Sequence, residues 1–306
     1  MIEALLGPLQ RWLMHVGVLL IVGVVAWTGI VRPAAIAVLQ TDDVGPQTPK
    51  AFQELSRGVA RIGKATAILL IPVWVLSFVV QILGFRDPFV PLIEDVSFLL
   101  RETFWGKVWV VQGILLLLLS LNSGKLVHRS ALGWMALVIL VIALPVTLAL
   151  SSHAMSETGI HRIIAVIADA SHILAVGAWM GSLTLILVVG SRLGDRESLL
   201  AAQLRAFSPV ALTAVPVLIL MGGTLSFYHL SAIQDLWSTP YGRVLLWKLL
   251  LAGTVLIMGL INWRFGLPTL ESSTGRRTVR RRAAWEVATA GIVLAFTAVL
   301  TGIPTP

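Results

Sequence analysis

The residues of this chain best suited to do chemistry are its six histidines, and their placement is uneven. His128 falls in a loop beside Arg129. The other five gather toward one end of the apolar segments that fill the sequence. His15 lies near that end of the first segment, and His153 and His161 flank the connection between the fourth and fifth. His172 sits inside the fifth, and His229 stands where the sixth emerges. Ionisable residues inside apolar spans are costly to bury and for that reason mark functional sites. His161, Asp169 and His172 are separated by eight and three residues. A helix places them within an arc of roughly 80°, on one face. Asp169 can accept the N–H of an imidazole and orient its other nitrogen, the usual arrangement around metal-bound histidine. It equally suits a proton path or a His–Asp pair that fixes packing. Further along, Gly177 and Gly181 permit close helix approach, and Trp179 can wall the site.

The segment Ser151–Ser156 reads SSHAMS, which sets the His153 imidazole beside the Met155 thioether. Thioether favours Cu(I), and imidazole accepts several transition metals. The chain has no cysteine, so thiolate metal sites and iron–sulfur clusters are excluded. The candidate ligands are therefore His15, His153, Met155, His161, Asp169, His172 and His229, with copper favoured over zinc. Haem b is the alternative, held axially by His15 and His172 from facing helices. Phosphate loops, nucleophile elbows and His-Glu-x-x-His patterns are absent, so an enzyme is not expected.

The elements that position these residues follow from composition. Of 306 residues, 57% are hydrophobic and 12% charged, about half the usual charged share. A soluble chain of this length cannot hide that much apolar surface. Long continuous apolar stretches, rather than alternating ones, favour helices over a barrel. Eight stretches approach the roughly 20 residues a crossing helix needs. They cover approximately 12–31, 64–84, 104–122, 131–151, 162–190, 208–228, 241–262 and 283–303, and the fifth is the longest. The fold expected is an all-α polytopic membrane protein. The first stretch has a single basic residue, Arg11, ahead of it, with Glu3 nearby. It therefore reads as a retained span rather than a leader cleaved near Ala35–Ala37.

Eight spans put both termini on one side. Sixteen of the 23 Lys and Arg residues fall in one set of loops and seven in the other. Counting acids, the overall +8 divides into +9 and −1. The positive-inside rule places the basic set in the cytoplasm, so the termini and five histidines face outward. The Arg276–Arg282 cluster then serves as a topology lock and a contact for anionic membrane lipid, not for nucleic acid.

Leu100–Gly106 (LRETFWG) and Leu236–Gly242 (LWSTPYG) share Leu, Thr and an aromatic–Gly pair, followed by a basic residue and Val. Thr103 and Thr239 suit helix N-caps, and Pro240 suits a first turn. With His15 and His172, and Pro72 and Pro216, the repeat divides the chain into four-span halves, 1–151 and 152–306. Pro72 and Pro216 mark possible interruptions pointing to a site between the halves. Lys248 and Glu286 are candidates for pairing across helices, although their expected depths differ, and they read as structural or topological.

These residues resemble a known family. The run Ala168–Leu183 (ADASHILAVGAWMGSL), the preceding SSHA and the Thr-Pro-Tyr-Gly opening followed by Lys248 are similar to motifs of the copper resistance protein D family. So are Asn262, Arg264, Pro268, Glu286 and Pro304. The resemblance covers residues 145–306 best; the first half agrees mainly in span layout. It implies a bacterial inner-membrane protein that carries copper from periplasm to cytoplasm, often with a separate periplasmic copper-binding partner. It assigns ligand positions to His153 and His172, and to His15 less closely, and it includes Trp179 and Gly181.

Overall fold

The structure, a computed structural model, describes residues 2–41, 48–121, 130–190 and 197–306. His128, Lys125, Arg129, Arg192 and Arg196 lie outside the described residues. All regular structure among the described residues is helical. Eight helices are long and apolar enough to cross a membrane: Leu5–Leu39, Lys50–Phe85, Phe104–Leu121, Ala131–Ala149, Gly159–Gly190, Ser198–His229, Pro240–Thr269 and Ser273–Leu300. They are called spans one to eight. Each corresponds to one expected apolar stretch. Spans one and two, at 35 and 36 residues, exceed span five at 32. The hydropathy pattern ends where charges begin, but the helices continue past that point. At 1.5 Å per residue they outrun a hydrocarbon core of about 30 Å.

Spans one and five form the centre. Their apolar windows are 56% and 61% buried, against 39% or less for the other six. The outer spans present large apolar side chains outward, among them Leu69, Ile139, Ile219, Phe227 and Trp285. Such surface is wrong for water and right for lipid. Span one packs against spans two, four, five, six and eight. The start of span one is tied to the end of span eight, where Arg11 Nη1 donates to the Thr301 carbonyl at 3.2 Å.

The central crossing depends on small residues. A methyl group on Gly23 would lie 2.3 Å from the Gly181 backbone, and one on Gly181 would lie 2.2 Å from the Leu19 carbonyl oxygen. The two backbones touch, as small residues allow between membrane helices. Gly181→Leu is expected to force the spans apart and cost about 3 kcal/mol or more. Gly253→Ala, where an added methyl meets nothing within 4 Å, is expected to leave stability unchanged or slightly raised. Thermal unfolding of the two purified variants checks both.

The duplicated motif folds alike at both positions. Thr103 Oγ1 accepts from Gly106 N at 3.0 Å, and Thr239 Oγ1 accepts from Gly242 N at 2.9 Å. Each threonine also donates to a carbonyl four residues earlier, Leu99 and Asp235. A Cβ on Gly106 or Gly242 would strike those same two carbonyls. The repeat is thus a cap in which the preceding short helix folds back on the first turn of the span.

Pro72 and Pro216 do not interrupt their helices. Both lie inside continuous α-helix on outward, exposed faces. There a proline removes one backbone hydrogen bond without breaking the helix, as happens in membrane spans. The irregular turns fall elsewhere, in π-helical segments at Trp27–Val31, Gly177–Gly181 and Asn262–Gly266. Such segments are frequent at functional sites.

Candidate functional site

The site begins at the turn between spans four and five. Ser152 caps a short 3-10 helix, His153–Ser156, by accepting from Ala154 N at 3.2 Å. The same hydroxyl donates to Asp169 Oδ2 at 2.7 Å. One side chain thereby fixes the turn that carries His153 and the carboxylate that hangs from span five.

Three rings meet over this turn. His153 lies 6.0 Å from His229 and 6.4 Å from Tyr241, and His229 lies 6.1 Å from Tyr241, each pair edge to face. Tyr241 is 2% exposed and anchored by the first turn of span seven. Its hydroxyl is 2.9 Å from His229 Nδ1. The opposite nitrogen, His229 Nε2, is buried without a hydrogen-bond partner, and so is His153 Nε2.

A second layer lies deeper, by one to two turns along the helices. It contains His172, three residues beyond Asp169, and Lys248, seven residues beyond Tyr241. His172 packs on Gly222 of span six, where a methyl would lie 3.2 Å from its Cε1. His172 Nδ1 is a third buried imidazole nitrogen without a hydrogen bond, although the Leu218 backbone lies close enough to act on the ring. His15, on span one, has Nδ1 2.7 Å from the Arg11 carbonyl oxygen. A carbonyl only accepts, so Nδ1 carries the proton and Nε2 presents its lone pair.

Asp169 and Lys248 bind the two layers electrostatically. Asp169 acts on His15, His229, Tyr241 and Lys248. Lys248 in turn acts on His15, His172 and His229. The result is a half-buried acid and base within electrostatic reach of each other, among the imidazoles.

His15, His153, Asp169, His172 and His229 are thus brought into one region. Met155 is half-buried on the 3-10 helix. His161 is exposed, with Nδ1 3.1 Å from Tyr228 Oη, and stands outside the buried set. Among the described residues, no three His, Asp or Glu side chains converge as a preformed metal centre. Lys248 and Glu286 do not pair. Lys248 interacts with Asp169, and Glu286 accepts from Asn262 Nδ2 at 3.1 Å.

Three participants were not among the candidate ligands. Tyr241 was visible only as part of the repeated cap, and Ser152 only as a neighbour of His153. The signal for Lys248 was its position: a lone basic residue inside an apolar span requires a partner.

Comparison with known proteins adds an independent line. The family model described as Copper resistance protein D-like, N-terminal domain, matches residues 1–163. That is over half the chain, and it includes the half whose motifs were weakest. The model described as Copper resistance protein D matches residues 201–300. The run Ala168–Leu183 lies between the two. A 214-residue stretch is 30% identical to the copper transport protein CutJ of Bacillus subtilis (strain 168), covering 68% of this chain and 38% of that protein. The matched stretch therefore covers well under half the length of this relative. No solved structure matches. Two family models across most of the length, on an eight-span helical frame with inward imidazoles, place this multi-pass membrane protein in the copper resistance protein D family.

Proposed function

We propose that the chain carries copper across the bacterial inner membrane, inward from the periplasm, with copper as cargo rather than resident cofactor. Supporting this reading are its family and the copper transport named for its relative. The observation that carries it is the set of buried, unpartnered nitrogens His153 Nε2, His229 Nε2 and His172 Nδ1. A buried polar atom without a partner is costly, and a lone pair of this kind is satisfied by a metal. The 6.0 Å between the His153 and His229 ring centres is close to what two imidazoles take around one ion, given metal–nitrogen bonds of about 2 Å. Tyr241 supplies the outer partner that fixes which nitrogen of His229 faces the metal.

Copper enters at His153, His229 and Met155, delivered by a separate periplasmic copper-binding protein. It then moves to His172 and His15. The charge asymmetry supports an outward orientation of this end, with exposed His161 at the approach. Nothing in this chemistry requires a catalysed reaction. The test is copper content and uptake into proteoliposomes for His153→Ala and His172→Ala. Both are expected to lose more than nine-tenths of wild-type uptake, and wild-type uptake with wild-type occupancy in both would refute the assignment. An absorption spectrum of the purified protein decides the haem alternative, which requires a Soret band that shifts on reduction.

A further inference from the structure

At the other end of the bundle, a cavity of about 240 Å³ opens between spans six, seven and eight. Its wall is almost wholly apolar. Three polar side chains reach it: Glu286, Asn262 and Ser208. Glu286 is 2% exposed. Oε2 accepts from Asn262 Nδ2, while Oε1 faces Gly259, where a methyl would lie 3.3 Å away. Asn262 Oδ1 is buried with no hydrogen-bond partner. Glu286 Oε1 and Asn262 Oδ1 therefore face an apolar-walled cavity, and none of the side chains lining it is cationic.

The charged groups of every helix packed on Glu286 are directed elsewhere. On span eight, Arg280, Arg281 and Arg282 are exposed. On span seven, Arg264 lies over the Phe265 ring and Lys248 interacts with Asp169. On span six, Arg205 Nη2 faces Glu271 at 3.5 Å. On span one, Arg11 is bonded to Thr301, His15 lies with Asp169 and Lys248, and Arg32, half-buried near the basic end, does not act on the Glu286 carboxyl; the Ser182–Gly190 part of span five has no ionisable residue. Among the described residues, the polar partner of Glu286 is Asn262. A carboxylate buried without a counter-ion costs several kcal/mol and escapes that cost by binding a proton.

The position fits an exchange point. Glu286 follows Arg282 by four residues, roughly 6 Å deeper along the helix, so the cavity lies near the basic end. Trp179 closes its other side: a methyl on Gly259 would lie 3.4 Å from the Trp179 ring. Trp179 is buried and two turns along span five from His172.

We propose that Glu286 and Asn262 form a proton-binding station on the far side of Trp179 from the histidines, exchanging its proton with the basic end of the bundle. In the neutral state Glu286 carries the proton on its carboxyl group and Asn262 Nδ2 still donates to the other oxygen. In the charged state the proton has left through water in the cavity, which has room for several molecules. The oxygen-only donor set takes a proton or a hard cation, not Cu(I). A link between this proton and copper movement rests on the transport reading above; proton binding itself does not.

The experiment is infrared difference spectroscopy of the copper-free protein in liposomes, titrated with pH in sodium and sodium-free buffers. A protonated-carboxyl band that titrates, is independent of sodium and vanishes in Glu286→Gln is the expected result. Asn262→Leu, lacking the donor to Oε2, is expected to keep the band at a shifted frequency and midpoint. It carries the assignment if the glutamine variant does not fold. A Glu286 that stays ionised across the titration, or one whose signal follows sodium, overturns the station. Copper uptake driven by a pH gradient is expected to fall at least tenfold in Glu286→Gln at unchanged copper occupancy. Loss of wild-type uptake altogether would instead count against the transport reading and leave the infrared result standing.

Discussion

His229→Ala is expected to weaken Cu(I) binding about 100-fold, or roughly 2.7 kcal/mol. Adding His153→Ala is expected to weaken it little further. The two rings are 6.0 Å apart and each has a buried Nε2 without a partner. If one ion satisfies both nitrogens, removing either ring abolishes the shared site, and the second removal finds nothing left to lose. Two independent sites would give additive losses instead. Tyr241→Phe separates ligand from support. It removes the hydroxyl 2.9 Å from His229 Nδ1 and keeps the ring, so a loss of about tenfold is expected, in the range for outer partners of metal histidines. Competition against a chromogenic Cu(I) chelator measures all four proteins. Additive losses in the double variant would dismiss the shared site.

How much of this was legible in the sequence depends on whether a feature is local or arises from packing. Span number follows from apolar length alone, so all eight helices could be read directly. The Thr103 and Thr239 caps were legible because capping involves neighbours within a few residues. Asp169 and His172 were legible because helical spacing is fixed. The pairing of His153 with His229 was not, since it joins residues 76 positions apart across a turn and a helix end. Nor was the difference between His161 and His172. Both lie on one sector of span five, but the helix carries His161 beyond its neighbours, where Tyr228 alone meets it. Pro72 and Pro216 misled because proline marks a missing hydrogen bond and not necessarily a break. The actual irregularities at Gly177–Gly181 and Asn262–Gly266 have no comparable residue signature. Lys248 and Glu286 were recognised as costly, but their partners, Asp169 and Asn262, were settled only by three-dimensional packing.

Lys248→Met is expected to tighten Cu(I) binding about thirtyfold while slowing copper uptake. Lys248 lies among the imidazoles proposed to hold copper, acting on His15, His172 and His229, and its counter-charge is Asp169. Two unit charges about 7 Å apart repel by about 2 kcal/mol at an effective dielectric constant near 20, which is roughly thirtyfold in affinity. An ammonium in that place makes chemical sense for cargo that must be released. With copper absent, the charge of Lys248 offsets that of Asp169, so the half-buried carboxylate is not left alone. With copper present, Lys248 competes with the ion for the same negative charge and keeps binding shallow. Methionine fills similar volume and contributes a thioether, so Lys248→Leu is the necessary companion, showing the charge effect without a new ligand. Asp169→Asn is expected to act in the opposite direction and weaken binding. The double variant Lys248→Leu/Asp169→Asn, which removes both charges, should return near wild-type affinity. Uptake and affinity should then move in opposite directions in the lysine variants, because an ion held more tightly leaves more slowly. Unchanged or weaker copper binding in a folded Lys248→Leu protein would show that the lysine does not oppose the metal, and would move the copper site away from the Asp169 layer toward His153 and His229 alone.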